Sequence, residues 1–220
     1  LFILIVFTFK DIYMMKYRFL LSLFFCVSYM VSCKNNSDPM PTLPKASTYT
    51  VTTFAGDGTA GLLNGTGQNT EFNQPSGIAV DKNGNVYIAD RSNHVIRKIT
   101  TFAGSGTAGY ADATGTAAQF NFPTGVAVDM DGNVYVADQV NQLIRKITSG
   151  GIVSTLAGQA GTSGTADGMG SLAQFYAPTG VAVDASGNVF VADQGNNTIR
   201  KVTSSGSVST LAGSSSGYMD

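Results

Sequence analysis

Carboxylate and guanidinium groups recur at one fixed spacing along the chain. An aspartate precedes an arginine by seven residues three times, as Asp90 and Arg97, Asp138 and Arg145, and Asp193 and Arg200. Such a pair can line a polar pocket, or it can form a partly buried ion pair that fixes strand register and is costly to break. We favour the structural interpretation, because a residue repeated in every unit is explained first by the geometry of the unit.

A second set of oxygen-bearing side chains lies in the glycine-rich segments between these pairs. The aligned residues are Asn64, Asp112 and Asp167. A ring of their oxygens would suit a hard cation such as calcium, but calcium takes about six to eight oxygen ligands and each segment supplies one. The simpler interpretation is that Asp or Asn beside Gly makes a tight turn. We therefore predict no metal site and no cofactor, and calcium remains the alternative.

Side chains for catalysis are scarce. The chain has one histidine, His94, and the corresponding residues of the other two copies are Gln142 and Asn197. Neither a histidine-based metal site nor a Ser-His-Asp triad can be assembled from these residues. The many Gly-x-Gly runs do not follow a strand and open a helix, as phosphate-binding loops do. No catalytic residue is predicted.

These residues belong to a unit that occurs three times without a gap. The copies begin at Pro75, Pro123 and Pro178, and the second reads PTGVAVDMDGNVYVADQVNQLIRKI. Each copy predicts three short strands of β-branched and aromatic residues, separated by turn residues. A following Thr-Leu-Ala-Gly or Thr-Phe-Ala-Gly segment predicts a fourth strand. Repeats of this size are typical of solenoids and propellers.

The motifs P-x-G-[IV]-A-V-D, G-N-V-[YF]-[IV]-A-D and N-x-x-I-R-K-[IV] resemble the NHL-repeat β-propeller, in which each unit forms one blade. The resemblance covers residues from about Thr50 to the end of the sequence. It implies an all-β fold of four-stranded blades around 75–104, 123–158 and 178–213. A shared fold of this kind does not by itself imply a shared chemistry.

The strand count predicts a partial ring. The fourth-strand segment occurs four times, at 53–56, 101–104, 155–158 and 210–213. The segment at 53–56 is therefore predicted to be an extra outer strand without a blade of its own. Closed propellers have about four to eight blades. We expect either the N-terminal part of a larger propeller, with six blades by resemblance, or a half-ring that pairs with a second copy.

Blade 1 is predicted to be irregular at its outer edge. Only Thr100 and Thr101 separate Ile99 from Phe102, whereas eight residues fill the corresponding stretch of the second copy. We expect the fourth strand of blade 1 to be frayed or displaced.

The first 33 residues resemble a bacterial lipoprotein signal. Translation is expected to start at Met14 or Met15, a basic and then an apolar stretch follow, and residues 30–33 read Met-Val-Ser-Cys. The resemblance implies lipid attachment at Cys33, with an ordinary signal peptide or membrane anchor as the alternative. Residues 34–48 contain three prolines and are predicted to be a flexible tether to the domain at 49–220. The expected location is extracytoplasmic, on a bacterial outer membrane or cell surface.

The charge balance limits the partners. From Lys34 onward there are ten Lys or Arg residues and thirteen Asp or Glu residues, whereas a nucleic-acid reader presents a dense basic face. Nucleic acid is therefore not an expected partner. Long inter-blade loops gather on one face, which is where binding sites usually lie. The candidate binding residues there are Asn64, Tyr110, Asp112, Asp167 and Tyr176.

We therefore expect a non-enzymatic interaction propeller, displayed on the envelope, that binds a protein or a glycan through its loop face. The alternative, by resemblance, is half of a six-bladed enzyme such as a gluconolactonase-like hydrolase or lyase. In that case the catalytic residues lie outside this chain. The ring is closed either by further blades of the same chain or by a second copy.

Overall fold

The computed structural model describes residues 51–98 and 100–214. The chain divides into two compact units, 1–54 and 55–220, and the first is described only at residues 51–54. The predicted signal, Cys33 and the whole tether lie outside the described residues. Within the part that is described, no helix has both the length and the apolar character needed to cross a membrane.

The second unit contains three antiparallel blades in which neighbouring strands follow chain order. Blade 1 consists of β1 (Pro75–Val80), β2 (Val86–Asp90), β3 (Val95–Lys98) and β4 (Thr100–Ala103). Blade 2 consists of β5 (Pro123–Val128), β6 (Val134–Asp138), β7 (Leu143–Ile147) and β8 (Val153–Ala157). Blade 3 consists of β10 (Pro178–Val183), β11 (Val189–Asp193), β12 (Thr198–Val202) and β13 (Ser207–Ala212), and the short β9 (Gly168–Met169) pairs with β13. Short 3₁₀ helices lie at Gly67–Asn69, Arg91–Asn93, Gly115–Ala117, Gly170–Leu172 and Gln194–Asn196.

An aspartate shapes the first hairpin of every blade. In blade 2, one oxygen of Asp129 accepts the backbone N–H groups of Asp131 (2.9 Å) and Asn133 (2.8 Å). Asp81 and Asp184 make the same contacts in blades 1 and 3. A side chain that satisfies the backbone in this way favours a tight turn. This local bonding explains why the predicted hairpins form.

The core lies between the blades. One cluster joins blade 1 residues such as Tyr87 and Ile96 to blade 2 residues such as Val136. A second cluster joins blade 2 to blade 3 in the same way. Each sheet is therefore covered on at least one face by its neighbour, which explains why its strands are rich in apolar residues. The blades form an open arc rather than a closed ring, as the predicted partial propeller requires.

The predicted extra outer strand is not formed. Residues 51–56 lie outside every strand of the described chain. A segment with strand-forming residues becomes a strand only when a neighbouring strand satisfies its backbone groups, and no described strand pairs with this one. The sequence pattern therefore predicted a strand correctly at 101–104, 155–158 and 210–213 and wrongly at 53–56.

The outer strand of blade 1 is shortened but not displaced. Arg97 pairs with Thr101 and Ile96 with Ala103, just as Arg145 pairs with Thr155 and Ile144 with Ala157. The missing residues remove the turn and the end of the ladder beside it. The remaining pairs keep their register because β3 still provides the same hydrogen-bonding partners.

Candidate functional site

A fully buried ion pair occupies the same place in each blade. The distance from the Arg145 guanidinium to the Asp138 carboxylate is 2.8 Å, and it is 3.0 Å in the pairs Arg97–Asp90 and Arg200–Asp193. Both side chains of each pair are buried. Neither partner is available to a ligand on the surface.

The aspartate of this pair also receives two other donors. Asp138 accepts the backbone N–H of Asn121 at 2.7 Å and the side-chain amide of Asn141 at 2.8 Å. Burial raises the pKa of Asp138 to about 6, although the amide donors and Arg145 act in the opposite direction. At Asp138, the hydrogen-bond donors therefore offset part of the free-energy cost of burying a carboxylate.

The arginine fastens the preceding connector to the blade. Besides Asp138, Arg145 donates to the carbonyl oxygens of Gln119 (3.0 Å) and Ala111 (3.1 Å) and to Asp112 (2.5 Å). Its guanidinium lies 5.2 Å from the centre of the Phe120 ring. A planar guanidinium has five donors, so one side chain can hold several loop carbonyls at once.

The acidic and amide residues predicted for the loop face contact their own blades. Asp112 accepts the backbone N–H of Thr155 at 2.9 Å, and Asp167 accepts that of Thr210 at 3.1 Å. Asn64 accepts the N–H of Thr101 at 3.1 Å in blade 1. These side chains fix the connector to the fourth strand rather than only closing their own turn. No group of three or more metal-ligating side chains comes together among the described residues.

The two predicted tyrosines remain exposed on separate connectors. Tyr110 and Tyr176 both keep a large part of their surface in solvent. Tyr176 lies over Gly195, where an added Cβ would be 2.5 Å from the ring. The tyrosines are therefore accessible, but neither lines the groove described next.

A groove of about 520 Å³ runs along the inner side of the arc. It is lined by the first strands of all three blades and by two residues from the turns after the second strands. Its polar and charged side chains are those of Ser76, Arg91, Thr124, Gln139 and Thr179, and its apolar side chains are those of Ile78, Val126 and Val181. None of these residues is among the binding residues that the sequence predicts. The overlooked signal is the hydroxyl residue between Pro and Gly at the start of every copy.

These hydroxyls also join the blades. The Ser76 hydroxyl donates to the carbonyl oxygen of Thr124 at 2.9 Å, and the Thr124 hydroxyl donates to that of Thr179 at 3.0 Å. The next residue must be glycine, because a Cβ at Gly77 or Gly125 would lie 2.3 Å from the same carbonyl oxygen. The oxygen of each hydroxyl keeps lone pairs that can accept from a ligand.

His94 connects blade 1 to the chain that enters blade 2. Its Nδ1 accepts the backbone N–H of Phe122 at 3.1 Å, and the two rings meet edge to face at 4.8 Å. Gln142 makes the equivalent contact, since its side-chain oxygen accepts the N–H of Ala177 at 2.6 Å. An Nδ1 that accepts must be unprotonated, and burial lowers the pKa of His94.

Comparison with protein families confirms the sequence resemblance. Residues 72–99, 120–147 and 175–202 match the family model described as NHL repeat. None of the curated proteins compared with the chain matches it.

Several solved structures are similar to the chain. A protein of unknown function from Bacteroides thetaiotaomicron has a TM-score of 0.59 and 29% identity, over 70% of this chain and 40% of that chain. An auxiliary nutrient binding protein from the same species has a TM-score of 0.54 and 25% identity, over 66% and 39%. A provisionally named phosphatase, also from that species, has a TM-score of 0.51 and 26% identity, over 69% and 37%. The chain thus spans between 37% and 40% of the length of these relatives.

The buried pair predicts that the two aspartates bound to Arg145 contribute very different amounts to the unfolding free energy. Asp138→Ala leaves the guanidinium buried without its main counter-charge, and we expect a loss of about 3–5 kcal/mol in unfolding free energy. Asp112→Ala removes a half-exposed partner, and we expect a loss of about 1 kcal/mol. Urea denaturation measures both. Equal losses would show that Asp138 does not have this central role.

The His94 contact predicts a pH dependence of stability. Because the folded state lowers the pKa of His94 below its unfolded value of about 6.5, the unfolded chain binds the proton more readily. The stabilisation is complete above that value and declines as pH falls through it toward the folded pKa. His94→Gln reproduces the neutral contact of Gln142. Between pH 7.5 and pH 5, we expect the original protein to lose unfolding free energy relative to the His94→Gln variant. A difference that stays constant over this range would contradict the prediction.

Proposed function

We propose that this chain, whose three NHL repeats form an arc of β-propeller blades, binds a neutral, hydroxyl-rich nutrient such as an oligosaccharide in the groove along its first strands. The observation that carries the proposal is the composition of the groove. Hydroxyl oxygens, the Gln139 amide and the Arg91 guanidinium line it together with the apolar side chains of Ile78, Val126 and Val181, and its lining includes no carboxylate.

Such a lining suits sugar hydroxyls. Gln139 can both donate and accept, Arg91 can donate, and the hydroxyl oxygens of Ser76 and Thr124 can accept after donating to the neighbouring blade. One cation without a carboxylate favours a neutral or weakly anionic ligand over a cationic one. The groove is wide open to solvent and is built on the first strands of the three blades.

The similar structure named as an auxiliary nutrient binding protein supports a role in nutrient binding. The comparison supports a binding role and leaves the particular sugar to experiment. The enzymatic alternative has no specific observation in its favour among the described residues, because their buried aspartates are used to hold the connectors.

Display on the envelope belongs to the same proposal and rests on the sequence of residues 30–33. If Cys33 carries the lipid, Cys33→Ser prevents acylation. We then expect the protein to move from the membrane fraction to the soluble fraction of the cells that express it, as measured by immunoblotting. Retention of the variant in membranes, with no lipid on the original protein by mass spectrometry, would contradict the lipid anchor.

The groove predicts that the side-chain amide of Gln139 contributes a hydrogen bond to the bound ligand. The probes are maltohexaose, cellohexaose, xylohexaose and mannohexaose, titrated by calorimetry. We expect at least one to bind, and Gln139→Ala to weaken it about 10-fold through loss of a hydrogen bond. Asn83→Ala is the matched control, because this exposed amide lies on the first hairpin turn, at the opposite ends of the strands.

Two results would count against the sugar site. The first is that none of these sugars binds at millimolar concentration. The second is that both amide variants weaken binding equally, which would place the ligand outside the groove.

A further inference from the structure

The two junctions between neighbouring blades share their hydroxyl, glycine and acceptor contacts but differ beside the groove. Between blades 1 and 2, the residue after the second strand is Arg91 and the residue that precedes the next blade is Phe122. The equivalent residues between blades 2 and 3 are Gln139 and Ala177. The two unusual side chains contact each other, because the Arg91 guanidinium lies 5.2 Å from the centre of the Phe122 ring. The difference between the repeats is thus concentrated at one place, on a residue that lines the groove.

Phe122 and His94 hold this guanidinium in place. The rings of Phe122 and His94 meet at 4.8 Å and an angle of 87°, and the backbone N–H of Phe122 donates to Nδ1 of His94. Phe122 is therefore anchored through both its ring and its backbone. A guanidinium is attracted to an aromatic ring face, and its planar fork keeps its N–H donors in that position. A side chain that is restricted before binding loses less entropy when a ligand arrives.

The fork of Arg91 has no partner within the described part of the chain. No described oxygen atom accepts a hydrogen bond from its guanidinium, and its Nε is buried without a partner. Arg145 also leaves its Nε unpaired, but its two terminal nitrogens bind two carbonyl oxygens and two carboxylates. The structural arginine thus uses its fork, and the groove arginine does not.

The surroundings of Arg91 leave its charge uncompensated. Arg91 is the one charged residue among those that line the groove in the described chain. The carboxylate of the preceding residue, Asp90, is buried and paired with Arg97. Sugar hydroxyls could use the donors of Arg91 but would not neutralise it, whereas a carboxylate accepts two parallel hydrogen bonds from the fork and neutralises its charge.

We propose that Arg91 forms a subsite for a carboxylate of the ligand. The inference rests on the proposed function and makes it more specific, because the hydroxyl-lined part of the groove would hold the sugar residues and Arg91 one acidic group attached to them. Neutral oligosaccharides bind without this contact. An acidic oligosaccharide, with a uronic or aldonic acid residue, binds more tightly than a neutral chain of the same length.

Matched pairs of sugars test the subsite. The first pairs are the aldonates and the alditols of the four hexaoses named above, since both forms have an open-ring end and they differ in one carboxylate. The last pair is hexagalacturonate and its fully methyl-esterified form, in which every residue carries the acid or the ester, so the register of the chain in the groove does not matter. Calorimetry with the purified protein measures each affinity. We expect the acid form of at least one pair to bind about 10-fold more tightly, and the gain to shrink as salt screens the charge.

Three variants locate the preference. Arg91→Gln introduces the residue that blade 2 has at this position, Gln139, so we expect the fold to be kept and the preference for the acid form to be lost. Lys82→Gln is the matched control, because it removes the same charge from an exposed lysine outside the groove. Phe122→Ala reproduces Ala177 and removes the ring under the fork, so it should reduce the preference while the neutral form still binds. Thermal unfolding checks each fold.

The outcomes separate this inference from the proposed function. Equal binding of both members of every pair would overturn the subsite and leave the neutral sugar site intact. A preference that survives in Arg91→Gln, or that is lost equally in Lys82→Gln, would also overturn it. If no sugar binds in either form, the proposed function and the subsite fail together. Binding of an acid form alone, lost in Arg91→Gln, would support the subsite and restrict the proposed function to acidic sugars.

Discussion

Each blade depends on one buried arginine. The connectors that lead into the blades are rich in glycine and small residues and have little apolar surface of their own. Such segments do not order themselves by burial alone. Arg145 supplies what they lack, because it holds two connector carbonyls, an aspartate of the connector and the aspartate of the second strand at the same time. The ring of Phe120 covers the guanidinium and excludes water from it.

The three blades differ in the connector residue that accompanies this arginine. Blades 2 and 3 have an acidic connector residue, Asp112 or Asp167, beside the guanidinium. Blade 1 has the neutral Asn64 at the equivalent position of its connector, and its sequence also lacks the turn that would complete its outer strand. The two differences occur in the same blade, next to the strand that the connector residue would secure. Variation among the copies is thus concentrated at the connector and the outer strand, while the inner strands stay nearly identical.

The sequence predicted the parts of this fold that repeat locally. Strands, hairpin turns and the spacing of Asp138 and Arg145 all lie within one unit, so their pattern could be recognised three times. The contact between Asp112 and Thr155 could not be predicted, because the two residues are 43 positions apart and join different elements. The outer strand expected at 53–56 was wrong for a related reason, since its residues favour a strand but its partner had to come from elsewhere. The groove hydroxyls were overlooked because a Ser or Thr between Pro and Gly looks like turn material.

The shared design of the junctions has a consequence for how such a chain can change in evolution. Because blades 1 and 2 each bring their own hydroxyl, glycine and acceptor side chain, a duplicated segment of the gene encodes the polar contacts of a joint. The hydrogen bonds at the joints of an inserted blade therefore need no compensating substitution in its neighbours. The number of blades becomes a property that recombination can alter in a single step, and selection then acts on the width of the central opening rather than on the packing around it.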